Sequence, residues 1–294
     1  MTWVILSISA ALGWSVVNII DKYVLSKWIR EPFVILIIVG IIGLIAAGGI
    51  YFLYGFQPLS NINVFLAFSA GILHLVAYAF YFKALKIEEV SRVVPLFYLS
   101  PVFLLFLAAI FLGEIFTPLK YLGVILLVIG AMLISLKNFS KISFGKAFYW
   151  MICSALFLAL NSILIKYLLN FANYWTIFAW ERVGNGIATI PIFYLYLSEL
   201  LITVRRHGKK VISLLSVTEV INILALLLIT IATSVGYVTL VNALASIQPF
   251  FVLIFTVILS VFYPSVLKEE VKRSIIFLKI LAIVLIFVGA ILIT

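Results

Sequence analysis

The sequence predicts an all-α integral membrane protein of ten transmembrane helices in two inverted five-helix repeats. Three observations carry this reading. Of 294 residues, 66% are hydrophobic and 10% charged, with a mean hydropathy of +1.33, so lipid must solvate most of the surface. Nearly the whole chain divides into apolar runs near the roughly 20 residues that span a bilayer. The second half of the chain repeats the first in its polar and proline landmarks.

The spans read as residues 2–25, 33–54, 62–85, 89–112, 118–136, 145–169, 174–201, 212–233, 236–263 and 273–293. In lipid these must be helices, because the backbone has no water to bond. Alternating ten-residue strands, the mark of a barrel, do not occur. The first run is long, lacks a basic leader and continues into Asp21-Lys22, so it reads as a span rather than a cleaved signal. Trp3, Trp28, Trp150 and Trp175 fall near span ends, as an aromatic belt requires.

Charge sets the orientation. The net charge is +10, and of the 20 lysines and arginines all but Lys120, Lys166 and Arg182 lie in or beside the loops after odd-numbered spans. Those loops are therefore expected to be cytoplasmic and both termini extracytoplasmic, in a multi-pass protein of the plasma membrane. The same placement explains the basic balance by orientation and anionic lipid, and it excludes nucleic acid as a partner. A single cysteine, Cys153, and two histidines, His74 and His207, exclude a disulfide framework and a cysteine or histidine metal cluster.

The repeat is visible residue by residue. Ala11–Leu25 resembles Ala155–Leu169, with Lys22-Tyr23 matching Lys166-Tyr167. Ala84 and Pro101 match Ala232 and Pro249 at one offset, and the run 123–135 aligns with 282–294. The halves are thus 1–140 and 141–294, and because five is odd they face opposite ways. Inverted repeats are characteristic of alternating-access transporters with a solute site near the midplane.

The stretch Ala84–Gly130 carries Pro101-Val102-Phe103, then Gly113-Glu114, then Gly123 and Gly130. This pattern resembles the EamA-type signature of the drug/metabolite transporter superfamily. The resemblance implies ten helices in two inverted repeats. It also implies a cavity lined chiefly by helices 1, 3, 4, 6, 8 and 9, with helices 5 and 10 as outer supports. Members of the family export amino acids and other metabolites, carry sugar phosphates or nucleotide sugars, or take up small solutes. Two features depart from the pattern: the second half has Glu269-Glu270 rather than Gly-Glu, and many relatives have cytoplasmic termini.

Polar residues within spans mark candidate sites, because each is costly in lipid. His74 sits at the centre of the third span, where it would contact solute, take up a proton, or bond a neighbouring helix. The repeat places Asn222 at the equivalent point of the eighth span. Asn18 and Asn161, deep in the first and sixth, suit a carboxylate, ammonium or hydroxyl, or serve as interhelical glue. Trp14 and Tyr78 are aromatics that interface belts leave unexplained, as are Tyr81, Tyr98, Trp180 and Tyr237; such rings line solute cavities or pack against lipid and core, and Trp14 and Tyr78 are taken as candidate solute contacts. Lys22 and Lys166 either snorkel or form an anion site, with Lys22 a gate partner for Asp21. Glu181 and Arg182 are candidates for charge or coupling, or for an interhelical ion pair; as neighbours about 100° apart they need not bond each other. Glu219 reads as solvated near the cytoplasmic end of its span. Pro101 and Pro249 are matched kinks, either candidate hinges or static bends, and Pro95 is a further kink. Gly123 and Gly130, with Ala282 and Gly289, read as close helix packing.

The function expected is secondary active transport of a small polar or amphipathic metabolite, an amino-acid-like solute foremost. The alternative is a lipid or lipid-carrier flippase, or a subunit of one, with Lys22, Lys166 and Arg182 at the phosphate. No phosphate-binding loop, selectivity filter or clustered catalytic set is present, so an ATP-driven pump, a channel and an enzyme are not expected. The expected partners are the bilayer and a small-molecule solute, with protons as a candidate coupling ion, in a monomer or homodimer. No cofactor or metal is expected.

Overall fold

The computed structural model describes residues 2–29, 31–87, 93–135, 145–262 and 273–294. Its helices are α1 (Thr2–Lys27), α2 (Phe33–Tyr54), α3 (Asn61–Ile87), α4 (Ser100–Leu112), α5 (Pro118–Ser135), α6 (Lys146–Leu168), α7 (Tyr174–His207), α8 (Lys209–Val235), α9 (Val238–Ala245), α10 (Gln248–Phe262) and α11 (Arg273–Ile293). A 3₁₀ segment, Val94–Leu99, leads into α4. The described residues form helices and connections with no strand.

Seven stretches among the described residues are long and apolar enough to cross a membrane: α1, α2, α3, α6, α7, α8, and the run Val238–Ile258 through α9 and α10. Three more apolar stretches, Leu96–Leu112, Pro118–Leu133 and Leu278–Ile293, are shorter. The expected boundaries shift in places. The seventh span, read as 174–201, continues to His207, and at 34 residues α7 is about 50 Å long. Its polar last turn, Arg205-Arg206-His207, continues the helix beyond the apolar stretch, which hydropathy alone does not detect.

The stretches read from sequence as the fourth and ninth spans are each interrupted just ahead of Pro101 and Pro249. The 3₁₀ segment gives way to α-helix at Ser100-Pro101. α9 stops at Ala245 and α10 resumes at Gln248-Pro249. A proline ring displaces the carbonyl four residues earlier and supplies no N–H, and Ala245 is that residue for Pro249.

The main helix pairs run between the two halves of the chain. α1 packs on α8, α2 on α7, α3 on α6 and α7, and α5 on α11. Two crossings are close enough to require glycine. At α5–α11, a Cβ on Gly130 would lie 2.8 Å from the Ala282 carbonyl oxygen, and one on Gly289 would lie 2.7 Å from that of Gly123. At α3–α7, a Cβ on Gly71 would overlap the Glu181 carbonyl, and one on Gly184 the Phe68 carbonyl. Such backbone approach is how helices gain packing energy in lipid, where burial of apolar surface gains nothing.

Candidate functional site

A cavity of about 200 Å³ lies between the two halves of the chain. It takes lining residues from α1, α2, α3, the 3₁₀ segment and α4 on one side, and from α6 through α10 on the other. α5 and α11 contribute nothing to it among the described residues. The six residues named from sequence as solute contacts, Trp14, Asn18, His74, Tyr78, Asn161 and Asn222, all line this one space. Glu181 and Pro101 line it too, whereas Lys166, Arg182 and Pro249 do not. The side chain of Lys22 lies outside the described residues, as does that of Pro95. Of the other aromatics, Tyr81 and Tyr98 face the cavity. Trp180 packs instead between Phe56 and Phe68, and Tyr237 is exposed against Phe116.

Two buried polar networks flank the cavity. The first gathers at the α3–α7 crossing. Asn161 Nδ2 on α6 donates to the Ala70 carbonyl at 2.8 Å and to Glu181 Oε1 at 3.2 Å. Arg182 Nε donates to Glu181 Oε2 at 3.0 Å, and its Nη2 donates to Oε1. The pair is therefore formed by sequence neighbours on one helix, not between helices. Arg182 is wholly buried, with its guanidinium over the Phe178 ring at 5.3 Å. One turn further, Asn185 Nδ2 lies 3.1 Å from His74 Nδ1. With that amide nitrogen donating, Nδ1 accepts, the proton sits on Nε2, and Nε2 is buried without a protein partner.

The second network joins α1 to α8. Trp14 Nε1 donates to Asn222 Oδ1 at 3.0 Å, and Asn222 Nδ2 donates to Glu219 at 3.1 Å. Glu219 is 6% exposed and lines the cavity, which corrects the reading of it as a solvated end residue. A signal was available: Glu219 lies three residues before Asn222, so both occupy one helix face. Asp21, noted from sequence only as a gate partner, also lines the cavity.

Outside the cavity, two charges hold the α8–α9 junction at Gly236-Tyr237. Lys166 Nζ donates to the carbonyls of Thr233 and Gly236 at 2.8 and 2.7 Å, closing the C-terminal end of α8. Glu114 accepts from the N–H groups of Val238 and Thr239 and from the Thr239 hydroxyl, capping the N-terminus of α9. Each charge meets the helix end whose dipole it complements. Gly113 places Glu114 there by a left-handed step, φ 66°, at the end of α4. Lys166 therefore neither snorkels nor faces the cavity. At the C-terminal end of α3, Lys86 Nζ donates to Glu31 Oε2 at 2.7 Å, and that bond holds the Lys86 ammonium above its ordinary pKa.

Residues 1–136 match the family model described as the EamA-like transporter family. Comparison with curated proteins gives no match. Solved structures do match, and one of them, a crystal structure, aligns over 99% of this chain and 96% of its own chain, with a TM-score of 0.71 at 17% identity. At that identity the likeness shows the fold alone. The likeness to the EamA-like transporter family of the drug/metabolite transporter superfamily thus covers the first 136 of 294 residues, a little under half of the chain.

Proposed function

We propose that the protein is a secondary transporter that moves a small polar or amphipathic solute by alternating access, with the cavity as its solute site. The observation that carries this reading is the cavity itself: a space of about 200 Å³, lined by polar side chains from both halves of the chain. A small metabolite fits such a volume, and a few convergent polar groups in an apolar wall are what a solute site needs. In this reading residues 1–140 and 141–294 are inverted repeats spanning the membrane ten times, and both termini face outward as the charge bias requires. The reciprocal packing of α1 on α8 and α3 on α6 supports it, since exchange of the halves maps one contact onto the other. The interruptions before Pro101 and Pro249 would then be the hinges about which the halves rock.

Transport of an amino-acid-like solute belongs to this proposal. Flipping of a lipid phosphate does not, because two of its three candidate phosphate ligands are engaged elsewhere, and the side chain of the third, Lys22, lies outside the described residues. Lys166 is bound to two carbonyls and Arg182 to Glu181.

A thermal-shift screen of the purified protein in detergent tests the reading, since a ligand that binds only the native state raises the melting temperature. The panel comprises amino acids, nucleosides, sugar phosphates, amines and short-chain lipid phosphates. The expected result is a shift with a soluble metabolite that is lost in Ser162→Trp, which fills the cavity. A shift with lipid phosphates alone, unchanged in Ser162→Trp, would overturn it.

A further inference from the structure

Among the described residues, the charges that line the cavity do not balance. Three carboxylates line it, those of Asp21, Glu181 and Glu219, and no lysine or arginine does among the described residues. Glu181 is neutralised from behind by Arg182. Neither Asp21 nor Glu219 forms an ion pair among the described residues. Glu219 is more than nine-tenths buried, and the donor held to its carboxylate is the neutral Asn222 amide. An ionised carboxylate in such a place is expensive unless a positive charge comes to it. The walls beside these acids are aromatic: Trp14 is tied to Asn222, and Tyr78 and Tyr81 line the same space. Indole and phenol faces attract cations, most strongly where water is excluded.

We propose that the solute is an organic cation, an amine or quaternary ammonium whose charge is answered by Asp21 and Glu219 and whose carbon skeleton lies on Trp14, Tyr78 and Tyr81. This inference rests on the reading of the cavity as the solute site and narrows its substrate class. A free amino acid would bring a carboxylate beside Glu219, whose charge no ion pair among the described residues answers. A cationic amine brings none.

The test is equilibrium binding to the purified full-length chain in lipid nanodiscs, with three probes of nearly one shape. These are benzyltrimethylammonium, its uncharged carbon isostere neopentylbenzene, and the anion phenylacetate. The cation binds, and the isostere and the anion do not. Glu219→Gln and Asp21→Asn each weaken the cation by more than about tenfold, as expected for removal of one partner of a desolvated charge pair. Each variant is first checked for an unchanged melting temperature without ligand, and the two serve as replacements for each other if one fails to fold. Failure of the cation to bind, equal binding of the isostere or the anion, or unchanged affinity in the folded variants would overturn the inference. Ser162→Trp separates this failure from that of the cavity reading. Phenylacetate binding abolished by Ser162→Trp would refute the charge assignment and leave the cavity as the site. Cation binding indifferent to Ser162→Trp would remove both.

Discussion

The two glycine crossings, α5–α11 and α3–α7, solve the same packing problem with opposite surroundings. At α5–α11 the glycines meet Leu127, Ile286 and Ile293, and the seam is apolar throughout. At α3–α7 Gly71 and Gly184 bring the backbones together beside Glu181, Arg182, Asn185 and His74. The first crossing is a strut that stands outside the cavity. The second positions a buried charge network along the cavity wall. Close approach at α3–α7 therefore serves two ends, packing and the placement of polar groups, and damage there should cost both.

Gly184→Leu tests that difference most severely. A leucine must displace the Phe68 backbone and with it the whole α3–α7 contact, a loss of more than about 3 kcal/mol that should eliminate the folded, monodisperse protein in size-exclusion chromatography. Gly289→Leu, at the other seam, is expected to lower stability by about 1–3 kcal/mol and to leave ligand affinity in the cavity unchanged. Equal loss of affinity in Gly289→Leu would erase the distinction between strut and site.

Arg182→Met sharpens the comparison on the α3–α7 side. It leaves Glu181 buried without its counter-charge, and removal of one partner of a buried pair costs about 3–5 kcal/mol. Adding Glu181→Gln to that variant should restore most of the lost melting temperature, because the unpaired charge is then gone. A double variant as unstable as the single one would show that packing of the guanidinium over Phe178, rather than charge, was what mattered.

Lys166→Met is the next smaller effect. It frees the carbonyls of Thr233 and Gly236 at the end of α8, for a cost of about 1–2 kcal/mol. Hydrogen exchange should rise locally at the α8–α9 junction and stay unchanged at α5–α11. The smallest effect is expected for Lys86→Ala, within about 0.5 kcal/mol, because the Lys86 side chain is 52% exposed. The bond to Glu31 raises the Lys86 pKa, so its contribution is complete below the ordinary lysine value of about 10.4 and falls away only above it. The wild type and Lys86→Ala should therefore differ by the same amount at every pH between about 6 and 9.

The apolar seam was legible in the sequence because seven-residue spacing of small residues puts Gly123 and Gly130 on one face, and nothing else in that helix competes for attention. The interruptions before Pro101 and Pro249 were legible for a similar reason, since a proline acts on its own helix whatever surrounds it. Asn18, His74, Asn161 and Asn222 could be named because an amide or imidazole at mid-span is costly without a purpose. What single helices could not convey was partnership. Arg182 and Glu181 bond each other because α3 and α2 pack on α7 and leave the guanidinium nowhere else to turn. Lys166 and Glu114 find their roles at a junction some 70 and 120 residues further along the chain, visible only once α6 and the α4–α5 turn lie beside it. Glu219 reads as solvated from its nearness to the end of its helix, but its three-residue spacing from Asn222 puts it on the cavity face.

In the proposed mechanism one cavity opens alternately to the two sides of the membrane. The single native cysteine, Cys153, allows a direct test. In a Cys153→Ala background, Ser162→Cys places one thiol on the cavity wall. The protein is reconstituted in vesicles of known orientation and exposed to a membrane-impermeant maleimide on one side at a time. Alternating access predicts labelling of Ser162→Cys from either side, each slowed by bound solute. Labelling from one side only, however long the exposure, would contradict it.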